Sequence, residues 1–203
     1  MNTETEVKFL NVTHDEVRTR LQNLGAVCVA PMRLMKRAII DYPDRRLQMG
    51  AVNAYIRIRD EGDKVTLTYK QFTSLSVSGA KEVETTVSSF EAAIKIFTAI
   101  GLVVTSYQET KRETWQYGES EIVLDVWPWL KPYIEIEAEA ESVCRAVSEQ
   151  LGFDWAEAVF GDVMVAYRAE YPHLGPNDTV GTVPVVTFEV PPPDFLQIAP
   201  ESV

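Results

Sequence analysis

The chain has 203 residues, of which 46% are hydrophobic and 24% are charged, and its 19 basic and 30 acidic residues give a net charge of −11. This composition is typical of a globular domain large enough to bury a sizeable core. Proteins that bind nucleic acid or anionic membranes need positive charge over their surface, so the excess of acid argues against both classes. No stretch of the sequence approaches the roughly 18 consecutive apolar residues of a membrane-spanning helix.

The cysteine content and the first residues indicate the compartment. Only Cys28 and Cys144 are present, which excludes a disulfide framework and a zinc site built from several cysteines. The first six residues are polar and acidic, without the basic and apolar regions of a signal peptide. We therefore expect a soluble protein of the reducing cytoplasm.

The last 30 residues differ in composition from the rest of the chain. They contain six of the eleven prolines and no lysine or arginine. Because proline fixes φ and cannot donate a backbone hydrogen bond, this stretch cannot form long helices or central strands. We predict a folded domain over residues 1–173 and a loosely ordered acidic tail over residues 174–203, with residues 183–190 as an edge strand on the surface.

Within the folded part, the spacing of apolar residues predicts many strands and few helices. In chain order, strands are expected at residues 4–10, 26–29, 38–42, 53–60, 64–71, 81–87, 102–107, 109–117, 121–127 and 133–138. Helices are expected at about residues 13–24, 88–101 and 141–151, where apolar residues recur at helical spacing. So many strands against three helices indicate an antiparallel α+β fold.

The polar faces of these strands carry charges of one sign in pairs. Residues two apart on a strand share a face, so the following groups each project together: Glu4, Glu6 and Lys8; Arg57 and Arg59; Lys64, Thr66, Thr68 and Lys70; Glu82 and Glu84; Val123, Asp125 and Trp127; and Glu135 and Glu137. Half-exposed strands would give the same pattern, but neighbouring like charges are unfavourable without compensation. The three amphipathic helices also need an apolar surface to cover. If they cover the apolar strand faces, the charged faces turn inward and form a closed or nearly closed barrel with a charged lumen.

The charges of this lumen fall into two chemical sets. Carboxylates supply the hard oxygen ligands that Mg²⁺ and Mn²⁺ prefer, and here they are Glu4, Glu6, Asp125, Glu135 and Glu137. Cations match phosphate oxygens, and here they are Lys8, Arg57, Arg59, Lys70 and Arg112. Carboxylate-held divalent metals opposite several fixed cations make a site for a polyphosphate chain.

These elements resemble the CYTH superfamily, the triphosphate tunnel metalloenzymes. Glu4-x-Glu6-x-Lys8 is similar to the ExExK signature of that family, and further elements follow in the family's order: Tyr55-Ile56-Arg57-Ile58-Arg59, Thr66-Leu67-Thr68-Tyr69-Lys70, Glu82-Val83-Glu84, Lys111-Arg112-Glu113-Thr114-Trp115, Asp125 and Glu135-Ile136-Glu137. The similarity spans roughly residues 2–170. It implies a closed antiparallel eight-stranded β-barrel with helices packed outside, acidic residues that hold divalent metal, basic residues that bind a triphosphate, and a homodimer.

One position departs from the family pattern. Family members often carry a basic residue two positions before the arginine matched to Arg112, and Thr110 stands there in this chain. Lys111 is out of phase with Arg112, so we expect it to point away unless a bulge turns it inward. Two further groups stay open: Glu82 and Glu84 could contact metal or support the cations, and Arg33, Lys36 and Arg37 could extend the basic path at a tunnel mouth or lie in solvent.

The leading hypothesis from the sequence is metal-dependent hydrolysis of a triphosphate, either inorganic tripolyphosphate, a nucleoside triphosphate or thiamine triphosphate. In this hypothesis Mg²⁺ or Mn²⁺ is held by Glu4, Glu6, Glu135 and Glu137 with help from Asp125, and the phosphates are aligned by Lys8, Arg57, Arg59, Lys70 and Arg112.

Two alternatives stay open at this point. The same charges would serve a class IV adenylyl cyclase, in which the ribose 3′-hydroxyl of ATP attacks the α-phosphorus. The second alternative is a module that binds polyphosphate or a nucleotide without turnover. Binding alone would need mainly the cations, so the complete set of carboxylates argues against this alternative. The sequence contains no glycine-rich phosphate-binding motif, and its two histidines, His14 and His173, are too few for a zinc site rich in histidine.

Overall fold

The computed structural model describes residues 2–50, 53–72 and 80–197. Within these residues the strands are β1 (Asn2–Glu4), β2 (Glu6–Phe9), β3 (Val27–Asp41), β4 (Asn53–Asp60), β5 (Val65–Phe72), β6 (Ala80–Val87), β7 (Val103–Tyr117), β8 (Ser120–Val126), β9 (Tyr133–Glu137) and β10 (Val185–Val186). The helices are α1 (His14–Asn23), α2 (Phe90–Ala99), α3 (Glu141–Gln150) and α4 (Met164–Glu170). None of the helices in the described ranges is both long and apolar enough to cross a bilayer.

The strands form a curled, antiparallel, eight-stranded sheet. Its hydrogen-bonded order is β1-β6-β5-β4-β3-β7-β8-β9-β2. Because only Thr5 separates β1 from β2 in the chain, these two segments count as one amino-terminal strand. β10 lies off this order and pairs in parallel with β7. The antiparallel α+β class predicted from the sequence is confirmed.

Two breaks expected within strands are absent, so those predictions were wrong. β3 continues through Pro31, and β7 continues across residue 108. The pairing of β3 with β7 shifts register between Cys28 and Ala30, between Ala30 and Arg33, and between Ile39 and Ile40. Pro31 falls inside the second of these irregularities, where the ladder does not need a donor from it. The strand therefore passes through Pro31 without ending there.

Helices cover the apolar face of the sheet on its outer side. One buried cluster joins α1 and α3 to β2, β8 and β9, and its strand residues include Val7, Ile122, Leu124, Ile134 and Ile136. A second cluster joins α2 to β3 and β4 through Phe90, Ala93, Ala38, Ile40 and Ile58. In both clusters the apolar strand residues alternate with the charged positions. The charged positions therefore face the inner side of the curl.

Apolar residues of the carboxy-terminal segment pack against the domain, although the composition predicts a loosely ordered tail. Helix α4, which was not predicted, and the residues after it form a third buried cluster whose fully or nearly fully buried members include Trp127, Met164, Tyr167, Val180, Val186 and Leu196. The prolines prevent long regular elements, but the apolar residues between them still bury their side chains. Residues 198–203 lie outside the described residues, and a domain boundary at residue 173 stays a prediction.

Leu196 tests the packing of this segment. Its side chain is 2% exposed, so Leu196→Ala should lower the free energy of unfolding by about 2–4 kcal/mol, as measured by urea denaturation. Ile100→Ala is the control, because Ile100 is 69% exposed. Equal stability of the Leu196 variant and the wild type would show that the segment does not pack as described.

Candidate functional site

The inner face of the curled sheet lines a cavity of about 1260 Å³. Charged side chains from β2 to β9 reach it, among them Glu6, Lys8, Arg57, Arg59, Lys70, Arg112, Glu135 and Glu137. Residues of the carboxy-terminal segment, including Asn177 and Thr179, complete part of the wall. The charged faces expected from strand phase therefore converge on one space.

Lys8 lies between two carboxylates in this cavity. Its ammonium nitrogen is 2.9 Å from Glu6 Oε1 and 3.2 Å from Glu135 Oε1, and its side chain is 2% exposed. Strand pairing produces this contact, because β2 and β9 set Lys8 opposite Glu135. Burial by itself lowers the pKa of Lys8, but Glu135 and Glu6 outweigh burial and hold that pKa well above its ordinary value. Lys8 therefore stays positively charged.

Arg112 is held by carboxylates from two neighbouring strands. Its Nε donates to Asp125 Oδ1 at 2.7 Å, and its Nη2 donates to Asp125 Oδ2 and, at 2.8 Å, to Glu135 Oε2. Asp125 is fully buried and both its oxygens contact Arg112, so a metal ion at this carboxylate would compete with the arginine. Burial raises the pKa of Glu135, but Lys8 and Arg112 lower it further than burial raises it. Glu135 is therefore an anion at neutral pH.

Arg57 and Lys70 reach the cavity from β4 and β5. Arg57 Nη2 donates to Thr68 Oγ1 at 3.2 Å and to Glu84 Oε2 at 3.4 Å. Lys70 Nζ lies 3.9 Å from Glu6 Oε2. Glu84 thus supports a cation, which is one of the two roles that the sequence left open for it.

Glu61 lies at the turn between β4 and β5 and contacts three cations, and the sequence analysis missed it. Its carboxylate accepts from Arg59 Nε at 2.9 Å and lies 3.4 Å from Arg33 Nη2 and 3.8 Å from Lys64 Nζ. Burial raises the pKa of Glu61, but Arg59 and Lys64 bring that pKa below its ordinary value. In the sequence it is typical of an exposed turn residue, and its one local signal is the two-residue spacing from Arg59.

The carboxylates expected to hold metal are only partly brought together. Glu6 lies opposite Glu137 in the pairing of β2 with β9, and Glu121 lies opposite Glu137 on its other side. The backbone of Glu4 pairs with Ala80, while its side chain lies outside the described part of the structure. This all-oxygen donor set suits a hard divalent cation. Across residues 2–50, 53–72 and 80–197, however, no three side chains of Asp, Glu, His or Cys are arranged to hold an ion.

The sequence left open whether the basic residues Arg33, Lys36 and Arg37 on β3 and Lys111 on β7 face the cavity, and the structure places them on different faces of the sheet. Lys111 is exposed, its ammonium lies 4.8 Å from the centre of the Phe188 ring, and the pairing of β7 with β8 runs from Lys111 to Tyr117 without a register shift. No bulge therefore turns Lys111 inward. Arg33 and Arg37 line the cavity, whereas Lys36 is exposed.

Comparisons with known proteins agree with this geometry. The model of the CYTH domain family matches residues 2–150. Among solved structures, the PH1012 protein from Pyrococcus horikoshii OT3 is similar at a TM-score of 0.66 and 19% identity, over 80% of this chain and 98% of that one. A candidate adenylate cyclase from Vibrio parahaemolyticus is similar at a TM-score of 0.67 and 15% identity, over 81% and 97% of the two chains.

A plant protein extends the comparison. The candidate adenylyl cyclase HpAC1 from Hippeastrum, described as having a dominant triphosphatase activity, is similar at a TM-score of 0.55 and 13% identity, over 87% of this chain and 98% of that one. At such low identities the solved structures show the fold alone. A comparison with curated proteins found no significant match.

The ion pairs of Glu61 give a pH-dependent prediction. Since the pKa of Glu61 is lowered in the folded state, its charge stabilises the fold above the unfolded pKa of about 4.3, and this contribution is lost as the pH falls through the lower folded pKa. Glu61→Gln should therefore lower the free energy of unfolding by roughly 1.5–3 kcal/mol at pH 7, and the deficit should shrink below about pH 4.

Urea denaturation of both proteins at pH 7, 5, 4 and 3 measures this effect. Asp63→Asn is the control, because Asp63 is an exposed acid on the same turn. A deficit of the Glu61 variant that stays constant over this pH range would contradict the ion pairs.

Proposed function

The chain belongs to the CYTH domain family, and from this premise we propose that it hydrolyses a triphosphate in the cavity of the curled sheet with the help of a divalent metal. Proteins of this family are in general divalent-metal-dependent triphosphatases or adenylate cyclases. The observation that carries the proposal is the convergence of cations and carboxylates from eight strands on one cavity.

The proposal includes closure of the sheet into a complete tunnel. β1 pairs with β6, β2 pairs with β9, and only Thr5 lies between β1 and β2. A continuous amino-terminal strand would therefore join both ends of the sheet. A closed wall would exclude water from most of the substrate, and attraction between the cations and the phosphates would be stronger there than in open solvent.

The cations of the cavity would bind and align the phosphates. Arginine side chains can contact two phosphate oxygens at once, and lysine supplies a compact charge. Neighbouring acceptors already fix these cations, as Thr68 and Glu84 do for Arg57, and Glu61 does for Arg59. Such preorganised charges would offset the negative charge that builds up as the phosphoryl bond breaks. The proposed set is Lys8, Arg57, Arg59, Lys70 and Arg112.

The carboxylates of β1, β2 and β9 would hold Mg²⁺ or Mn²⁺. When bound, such an ion polarises phosphoryl oxygens and lowers the pKa of a coordinated water. Lys8 and Arg112 keep Glu135 ionised, which a ligand to a cation requires. Glu6 and Glu135, which contact Lys8 in this structure, would be ligands of the ion, and Lys8 would bind a phosphate. The proposed metal ligands are Glu4, Glu6, Glu135 and Glu137, with Asp125 positioning Arg112 beside them.

Hydrolysis requires fewer groups to be positioned in the site than cyclisation does, because it needs only the triphosphate and a water molecule. Adenylate cyclisation, our second candidate, also needs the nucleoside held so that its 3′-hydroxyl reaches the α-phosphorus. The size of the cavity favours keeping this candidate, since about 1260 Å³ exceeds the usual volume of a small-ligand pocket. A homodimer and a cytoplasmic location stay predictions.

Product analysis with Mg²⁺ and Mn²⁺ in parallel tests the proposal. The purified protein would be given tripolyphosphate, ATP and thiamine triphosphate, with phosphate, pyrophosphate and cyclic AMP resolved. We expect phosphate without cyclic AMP, and no turnover once the metal is chelated. Cyclic AMP with equimolar pyrophosphate would replace hydrolysis by cyclisation, and no product from any substrate would indicate a binding module without turnover.

Replacement of Glu137 tests its role as a metal ligand. Glu137→Gln should raise the concentration of Mn²⁺ needed for half-maximal activity by about tenfold or more, because it removes one anionic oxygen donor. Glu149→Gln is the control, because Glu149 is an exposed carboxylate on the outer helix α3. The same metal dependence in the Glu137 variant and the wild type would remove Glu137 from the site.

A further inference from the structure

Arg37 of β3 is a buried cation with no carboxylate partner within the described residues. Its side chain lines the cavity and is 6% exposed. Its Nη2 donates to Thr110 Oγ1 at 2.8 Å, and the guanidinium lies over the Trp127 ring, 4.6 Å from the ring centre. Its Nε–H is buried without a hydrogen-bond partner. The other arginines of the inner sheet each contact a carboxylate, namely Arg33, Arg57, Arg59 and Arg112.

The charged groups that act most strongly on Arg37 are cations. The pairing of β3 with β4 sets Arg37 opposite Arg59, and Arg57 shares the inner face two residues away. Burial, followed by repulsion from Arg57 and Arg59, lowers the pKa of the Arg37 guanidinium to about 9. At neutral pH the side chain is still charged. A buried charge without a counterion is strongly unfavourable, so this place in the cavity fits an anion.

A second donor points to the same kind of ligand. The Nε–H of Arg57 is also buried without a partner. The nearby Arg112 offers no acceptor, and its own Nε and Nη2 groups donate to Asp125 and Glu135. A tetrahedral anion with several oxygens could accept from both unpaired donors at once.

We propose that Arg37 completes a phosphate subsite at the Trp127 end of the cavity, together with Arg57 and Arg59. This inference rests on the proposed function, since the phosphate would belong to the triphosphate substrate. Family members often carry a basic residue at the position of Thr110 on β7. In this chain Arg37, on β3, supplies that positive charge instead. Thr110 and Trp127 orient it, because the hydroxyl accepts one N–H and the indole face supports the guanidinium plane.

Calorimetric titration with tripolyphosphate in the presence of Mg²⁺ tests the subsite on the full chain. Arg37→Gln should weaken tripolyphosphate binding by about 10- to 100-fold, as the loss of a charged hydrogen bond does. The double variant Arg37→Gln/Thr110→Lys should recover most of that affinity, because lysine at 110 returns a cation to the same place. Lys36→Gln is the matched control, since Lys36 is an exposed cation on the same strand, and it should bind as the wild type does.

Thermal unfolding without tripolyphosphate separates binding from a structural role. Arg37→Gln removes a buried charge that has no counterion, so its melting temperature should equal or exceed that of the wild type. A lower melting temperature with unchanged affinity would make Arg37 a structural residue and overturn the inference. If the glutamine variant does not fold, Arg37→Lys decides, since loss of the planar fork should still weaken binding and unchanged affinity would overturn the inference.

The outcomes separate this inference from the proposed function. A wild type that binds tripolyphosphate, with an Arg37 variant of equal affinity, would overturn the subsite and leave the proposed function standing. A wild type that does not bind tripolyphosphate at all would contradict the proposed function, and the subsite with it.

Discussion

The inward orientation of the charged strand faces is the constraint on which the rest of the structure depends. Burying a charge is strongly unfavourable unless an opposite charge compensates it, and the antiparallel pairing provides this compensation for Lys8, set opposite Glu135, and for Arg112, set opposite Asp125. The same alternation leaves the outer face apolar, and helices α1, α2 and α3 cover it. The alternation of side chains between the two faces of each strand therefore decides both where the core lies and which residues line the cavity.

How much of the site could be predicted depended on the regularity of each strand. β4 and β9 alternate without interruption, so their phase gave the face of Arg57 and of Glu135. β3 contains Pro31, and the break expected there hid the shared face of Arg33 and Arg37. No local pattern could correct this, because the continuity of β3 on both sides of Pro31 comes from its pairing with β7.

Long-range contacts account for what sequence reasoning missed elsewhere. Glu61 has the sequence context of an exposed turn, and although Arg59 is only two residues away, the contact with Arg33 forms only on folding. Composition likewise indicated a loose carboxy-terminal segment, yet its apolar residues between the prolines pack beside Trp127. Through Trp127, which lies under Arg37, that segment also supports the wall of the cavity.

The central claim is that the inner face of the sheet binds a metal–triphosphate complex, and diffraction from crystals grown with Mn²⁺ and tripolyphosphate tests it most directly. Anomalous scattering would locate the manganese without reference to the protein coordinates. The account predicts manganese at the carboxylates of β2 and β9, with phosphate oxygens on the arginines of β4. Manganese and tripolyphosphate bound outside the cavity, with Lys8 still between Glu6 and Glu135, would contradict it.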